Sequence, residues 1–277
     1  MKRILSFLAA FFAALIAAAC GKNTSPDLLT VSFIDVGKGD CILAECGGST
    51  LMIDTGYAET TDRVLGYLSE RGVEKLDALI ITHYDKDHVG GAAGIASVFP
   101  TGKIYLPDYE SGSDYYGALM GVVREKGIDT VTVGTDMKVS VGSAEFTIYA
   151  SGIQYDPSGK EGNDNDVSLV ISAKHGKDSY LFTGDIEKDG IKSFLKKLDG
   201  TCGVLKMPHH GRKESNTDKL IEAADPKFAV ITDSVKEPAD KKVISLLDGI
   251  ALYRSSECGD IVMESKGDGK YTVRTEK

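Results

Sequence analysis

Histidine is scarce in this chain, with five in 277 residues, so where the five fall carries information. Cations are also in the minority: 32 lysines and arginines face 41 acids, for a formal net charge of −9. An acidic surface repels phosphate backbones at long range. That excludes tight non-specific binding to duplex nucleic acid without a local basic patch, and leaves short or single-stranded substrates open. Five cysteines occur, but no pair has zinc-knuckle spacing. The chain has no glycine-rich phosphate-cradling loop and no Ser-His-Asp nucleophile pattern, which excludes P-loop and triad chemistry. It has no repeat of solenoid period. The hydrophobic share of 42% and the charged share of 26% are ordinary globular values, so bulk disorder and fibrous architecture are excluded as well.

The one long apolar run lies at the start. Lys2 and Arg3 precede Ile4–Ala19, which is apolar except for Ser6, and the run ends in Ala17-Ala18-Ala19-Cys20. Basic residues, a short apolar stretch and small residues before a cleavage point mark a secretory leader. The run is short for a transmembrane span. The small residues before Cys20 resemble a bacterial lipobox, with Ala17 where leucine is usual. The expected organisation is therefore a signal peptide at 1–19, a lipidated Cys20 with a polar tether at 20–28, and one α/β domain at 29–277. Losing Lys2 and Arg3 would take the net charge to −11. Cys41, Cys46, Cys202 and Cys258 remain. Cys41 and Cys46 fall on one predicted strand and would point to opposite faces. All four are expected to be small buried residues, with a disulfide open in an oxidising compartment.

Strands and helices alternate through the domain. Apolar runs bounded by glycine or acidic turns predict strands at Val31–Val36, Cys41–Cys46, Leu51–Asp54 and Ala78–Thr82. Helices are expected at Thr61–Arg71, from near Val89, at Tyr115–Lys126 and at Ile186–Leu198. The residue types that carry chemistry fall just after strands, where loops gather at one rim.

The densest cluster is Thr82-His83-Tyr84-Asp85-Lys86-Asp87-His88-Val89-Gly90-Gly91. Two histidines and two carboxylates follow an apolar strand within six residues. Imidazole and carboxylate together suit divalent metals. Two later features complete a candidate site: Asp185 after Tyr180–Gly184, and His209 and His210 after Val204–Met207. Taken alone, Asp185 would serve as a helix cap. His175 sits in a predicted hairpin turn and is expected at the surface.

In this order the motifs resemble the metallo-β-lactamase superfamily, and more closely the hydrolase domain of ComEC-type competence proteins. Ile34–Asp40, Met52–Gly56, the His83–His88 cluster, Asn165–Val170, Leu181–Asp185 and Leu205–Gly211 carry the likeness, closed by Tyr253–Ser255 with Gly259–Ile261. The resemblance implies a four-layer αββα sandwich with two divalent ions at one edge. His83 and Asp85 would hold one ion, and Asp87 and His88 the other. Asp185 would bridge them, and His209, in preference to His210, would complete the second. Asp87 would also orient or deprotonate a bound water. His210 and Lys206 are candidates for contacting an anionic substrate group. Asp54 and Asn165 are expected to brace the site without ligating.

Asp85 stands where the superfamily has histidine, and the isolated histidine between the cluster and Asp185 is missing, with Asp164, Asn165 or Asp166 in that region. These oxygen donors point to manganese, with zinc as runner-up. Lys38 and Arg212 replace the Gln and Ser usual in the family. The reading is an exported, lipid-anchored hydrolase that uses a metal-activated hydroxide on a phosphodiester, single-stranded DNA included, with no stable protein partner. The alternatives are hydrolysis of a small ester, amide, lactone or other phosphodiester, and a surface binding module associated with DNA uptake.

Overall fold

A computed structural model describes residues 28–158 and 163–277; the leader at 1–19 and the lipidation candidate Cys20 lie outside the described residues. In chain order the strands are β1 (Leu29–Phe33), β2 (Ile42–Cys46), β3 (Ser49–Ile53), β4 (Leu76–Ile80), β5 (Thr101–Pro107) and β6 (Asp129–Val133). Then come β7 (Met137–Val141), β8 (Ala144–Tyr149), β9 (Val170–His175), β10 (Asp178–Phe182), β11 (Val204–Lys206), β12 (Phe228–Ile231) and β13 (Ala251–Arg254). A last hairpin, β14 (Ile261–Ser265) and β15 (Tyr271–Thr275), follows. The helices are α1 (Thr61–Glu70), α2 (Lys86–Val89), α3 (Ala92–Val98), α4 (Asp114–Lys126), α5 (Lys188–Phe194), α6 (Thr217–Ala224), α7 (Lys241–Leu246) and α8 (Ser255–Cys258).

Two mixed sheets result. One has eight strands in the order β15-β14-β1-β2-β3-β4-β5-β6, and the other has seven in the order β13-β12-β11-β10-β9-β8-β7. The parallel strand β4 is apolar except for Asp77 because both faces are covered: Leu76, Ala78, Leu79 and Ile80 are all buried. Phe33, Ile42, Phe146, Tyr180, Phe182 and Val230 fill the space between the sheets. The outer face of the first sheet packs on Val64 and Leu68 of α1, Ile95 of α3 and Leu119 of α4. The outer face of the second packs on Ile191 and Phe194 of α5, Leu220 of α6 and Val243 of α7. The architecture is the expected αββα sandwich.

Local signals act where the helices begin and end. The Ser113 hydroxyl accepts from Tyr115 N at the start of α4, Arg124 and Lys126 lie in its last turn, and Gly127 closes it at φ 64°. The helix expected from near Val89 is instead two short ones, with Gly90 and Gly91 between α2 and α3. A Cβ on Gly91 would lie 2.6 Å from Thr55 O, so the pair lets the β3 loop rest on the backbone there. The expected helix Ile186–Leu198 shortens to α5. His175 is not a surface residue: it ends β9, is 2% exposed, and has Nε2 3.1 Å from Ser143 Oγ. The four described cysteines are free thiols. Cys41 joins the outer core and Cys46 the inter-sheet core, on opposite faces. Burial, with Asp225 nearby, pushes the Cys202 thiol up to about 12. No helix among the described residues is long and apolar enough to cross a membrane.

Candidate metal centre

The residues singled out from the sequence sit on loops that leave the strands at one rim. Asp54 follows β3, Thr82 and His83 follow β4, and Asp87 and His88 lie on α2. Asp185 follows β10, and His209 and His210 follow β11. Strand ends are rigid, so short loops deliver these side chains to a fixed point.

His88 is at the centre and is fully buried. Its Nδ1 lies 2.8 Å from Asp54 Oδ2, and its Nε2 lies 3.3 Å from Asp185 Oδ2 and 3.3 Å from His210 Nε2. Asp54 holds it from behind. That carboxylate also accepts from Thr82 N at 2.8 Å and from the Thr82 hydroxyl at 2.7 Å. Asp54 takes up a left-handed backbone, φ 55°, to present both oxygens this way, a conformation that a non-glycine residue keeps only when its surroundings enforce it. Asp54 is thus placed behind His88, within hydrogen-bond distance of its Nδ1.

His210 Nε2 lies 3.0 Å from Asp185 Oδ2 and 3.5 Å from Asp87 Oδ2. Two donor sets therefore face the centre, His83, His88 and Asp185, and Asp87, His88 and His210; among the described residues Asp40, Asp54 and His88 form a third behind His88, and Glu187, His209 and Glu214 a fourth at the rim. The structure reverses the expected order of the histidine pair. Both residues are left-handed, at φ 48° and 50°, which sends the two rings to different sides. His210 enters the centre. His209 turns to the rim, with Nδ1 3.3 Å from Glu187 Oε1 and 3.5 Å from Glu214 Oε1.

Lys206 is also placed differently from expectation. It is fully buried beneath the centre, ion-paired to Asp40, 3.5 Å from Asp185 Oδ1, and donating to Gly184 O at 3.1 Å. Its role there is internal neutralisation, and it does not line the open cleft. Asp85 is on the open side, 3.8 Å from His83 Nε2. Asn165 Nδ2 donates to Glu187 Oε1 at 2.9 Å, so it braces the rim cluster and not the centre.

Two residues that the sequence did not single out organise His210. Asp40 accepts from the Thr232 hydroxyl at 2.6 Å, and Thr232 Oγ1 lies 3.1 Å from His210 Nδ1. Their signal was position, since Asp40 closes the Ile34–Asp40 motif and Thr232 follows β12.

The electrostatics suit cation binding. Burial, reinforced by His88, holds His83 well below the usual histidine range, so its imidazole is neutral. Its Nε2 is buried and has no hydrogen-bond partner, and Asp185 Oδ1 has none either. Burial opposes charge on Asp185, but His210, His88 and Lys206 outweigh it and keep that carboxyl ionised. Burial likewise opposes charge on Asp87, and His210 and His88 outweigh it. Burial disfavours protonation of His88, yet Asp185 and Asp54 hold its pKa well above the usual value. A cation would take over that proton's electrostatic role. Buried, unpartnered nitrogen and oxygen donors aimed at one point are the donor chemistry of a divalent ion, so the residues fit such a group.

The centre opens into a cleft of about 560 Å³ lined by Lys38, Tyr57, Lys86, Asp164, His209 and Arg212, among others. A second cleft of about 590 Å³ lies at the opposite ends of the strands, by Glu45 and Glu74, and contains no histidine. Within the first cleft, burial and then a hydrogen bond with Asp164 push Asp85 up to about 7. Of the three residues that stand where the superfamily has its isolated histidine, Asp164 is the one in contact with Asp85.

Comparison with known proteins agrees with this geometry. Residues 34–231 match the family model of the metallo-beta-lactamase superfamily. The chain is 27% identical over 255 residues to ComE operon protein 3 of Bacillus subtilis (83% of this chain, 32% of that protein). It is 28% identical over 242 residues to Recombination protein 2 of Haemophilus influenzae (85% and 28%). The chain thus spans about a third of the length of these relatives. Among solved structures, the metallo-beta-lactamase fold protein YhfI of Bacillus subtilis superposes with a TM-score of 0.57 at 14% identity, covering 86% of this chain and all of that one. CmlA, a diiron beta-hydroxylase from Streptomyces venezuelae, superposes at 0.54 with 17% identity (87% and 54%). At these identities the likeness is one of fold. The strand-end donors and the match over residues 34–231 together place the chain in the metallo-β-lactamase superfamily.

Proposed function

We propose that this superfamily hydrolase is a phosphodiesterase that acts on a short or single-stranded substrate, DNA strands included. The observation that carries the reading is the cleft itself. Lys38, Lys86 and Arg212 line its mouth above the His/Asp centre, on a chain whose net charge is −9. These three cations stand among the carboxylates Asp85, Asp87, Asp164, Glu187 and Glu237, a mixed lining in which bound cations would leave Lys86 and Arg212 free to meet an anionic reacting group, while the acidic surface repels long duplexes. Similarity to ComE operon protein 3 and Recombination protein 2 supports the same direction.

His83, His88, His210, Asp87 and Asp185 would hold the ions, with Asp85 at the open edge. Bound divalent ions supply Lewis acidity and lower the pKa of water. The protein's own contribution is positioning. Asp54 fixes the His88 tautomer with Nε2 facing the centre, and Asp40 acts on His210 through Thr232. Asp87 stays ionised and would orient a water at the centre as a hydrogen-bond acceptor. Lys86 and Arg212 orient the non-bridging oxygens of the substrate. The Tyr57 and Tyr115 rings line the cleft wall where the substituents would lie. Manganese is the favoured ion, on the strength of the oxygens of Asp85, Asp87 and Asp185; zinc is the alternative. Cys20 and the basic and apolar stretch before it support an exported, lipid-anchored form.

The test is hydrolysis of bis(p-nitrophenyl) phosphate, single-stranded DNA and a chromogenic β-lactam by Mn²⁺- or Zn²⁺-loaded protein, with Asp87→Ala as control. Phosphodiester cleavage lost in the variant supports the reading. Bound metal with lactam cleavage alone refutes it.

A further inference from the structure

Lys38 stands where the resembling family has glutamine, and its environment gives that difference a consequence. The turn Gly37–Asp40 is clamped against α2. Asp40 N donates to Asp87 O at 3.0 Å, and a Cβ on Gly39 would lie 2.7 Å from that same oxygen. Gly37, at φ 82°, lets the turn form. Lys38 therefore rides on the backbone of the residue whose side chain it meets. Its Nζ lies 2.9 Å from Asp87 Oδ2, and the two side chains are 13% and 8% exposed. So little solvent leaves the contact weakly screened.

Asp87 belongs to one of the two donor sets, with His88 and His210. The other set, His83, His88 and Asp185, meets no comparable ammonium. Lys206 approaches Asp185 Oδ1 only to 3.5 Å and is already ion-paired to Asp40. His83 Nε2 has no hydrogen-bond partner, with Asp85 the nearest carboxylate at 3.8 Å. The two halves of the centre are thus unequal before any ion arrives. One includes two donor atoms with no hydrogen-bond partner, His83 Nε2 and Asp185 Oδ1, and the other offers a carboxylate already matched to a tethered cation. The two sets also share His88, whose single free Nε2 lone pair can serve one ion.

We propose that Lys38 is a built-in competitor for the second metal ion. The centre takes one divalent ion tightly at His83, His88 and Asp185. The second, at Asp87 and His210, binds more weakly because it must displace the ammonium. Displaced, Lys38 has the cleft to swing into, since it lines that cleft together with Lys86 and Arg212, and also a smaller pocket with His210 and Glu237. There its charge, released from Asp87, would act with those of Lys86 and Arg212, so full loading of the centre and readiness for an anionic group would come together. This inference rests on the metal reading of the centre but not on the identity of the substrate.

The experiment is calorimetric titration of the metal-free chain with Mn²⁺, with bound ion counted by elemental analysis after dialysis. The wild type should take up one ion tightly and a second at least about tenfold more weakly, the penalty expected for a unit charge within a few ångströms of a dication. Lys38→Gln keeps a hydrogen-bond donor for Asp87 but no charge, and should bring the two affinities to within about threefold. Lys38→Arg should preserve the gap. Melting curves would confirm that each variant is folded, and Lys38→Met serves if the glutamine variant is not. A second-ion affinity unchanged in Lys38→Gln, or two equal affinities in the wild type, overturns the proposal. A wild type that binds no ion overturns this proposal and the metal centre together. Closure of the gap in a protein that cleaves no phosphodiester leaves this proposal standing and refutes only the phosphodiesterase reading.

Discussion

Asp54→Asn tests the logic of the centre because it alters hydrogen-bond direction with almost no change in shape. In the native site one carboxylate oxygen accepts from Thr82 N, and the other accepts from the Thr82 hydroxyl and faces His88 Nδ1, all within 2.8 Å. With asparagine, the retained oxygen keeps Thr82 N, and the amide nitrogen meets the hydroxyl and the imidazole. His88 Nδ1 must then accept, so its proton moves to Nε2. The lone pair that faces Asp185 and His210 is lost. Outer partners of metal-binding histidines contribute about 10–100-fold in metal affinity, or about 1.4–2.8 kcal/mol. Asp54→Ala removes the acceptor outright and leaves three buried donors unpaired, at about 3–5 kcal/mol of fold stability. The assay is Mn²⁺ titration alongside chemical denaturation, with nitrogen NMR of His88 to read the tautomer. Wild-type metal affinity in a folded Asp54→Asn protein would refute the bracing argument.

Three further outcomes follow from the same geometry. His210→Ala should lose the second ion and at least about 100-fold in activity, whereas His209→Ala should keep both ions; elemental analysis separates them. Chelation should destabilise the protein: an ion present at 100 times its Kd adds about 2.7 kcal/mol, or about 5–10 °C in Tm for a chain of this size, and a melting curve with and without chelator measures it. Asp85 titrates near 7 because of burial and Asp164. Raised above its unfolded value, it contributes stability to the metal-free chain that is present below pH 4 and lost as pH rises through 7. Its proton competes with the ion, so Mn²⁺ affinity should climb through pH 7 and flatten above. Asp164→Asn should move that climb to lower pH, as calorimetry across pH would show.

The parts of this fold that were legible in the sequence were those set by periodicity and chain order. Ala78–Ile81, at the end of β4, is an apolar run because both faces are covered there, and His83 follows it because a strand end makes a fixed platform. What the sequence did not disclose was direction. His209 and His210 are adjacent and chemically identical, and only the left-handed backbone at both decides which ring enters the centre. Lys206 reads as a substrate contact beside two histidines, yet it points beneath them because Asp40, far away in sequence, supplies a buried counter-charge. His175 looked exposed in a predicted turn, but β9 extends through it and Ser143 of a neighbouring loop covers it. These errors share one cause: the decisive neighbour comes from a distant segment.

The order of strands in the larger sheet also bears on how the molecule is made. β1, the first strand, pairs on one side with β2 and on the other with β14, near the end of the chain. One edge of that sheet, β14 and β15, is therefore the last part to be completed. Until β14 arrives, the fully buried β1 is an open edge with unpaired backbone groups, a template for pairing with another chain. Pairings this far apart in sequence also slow folding. Trimming the final hairpin, though it carries no residue of the centre, should thus promote aggregation.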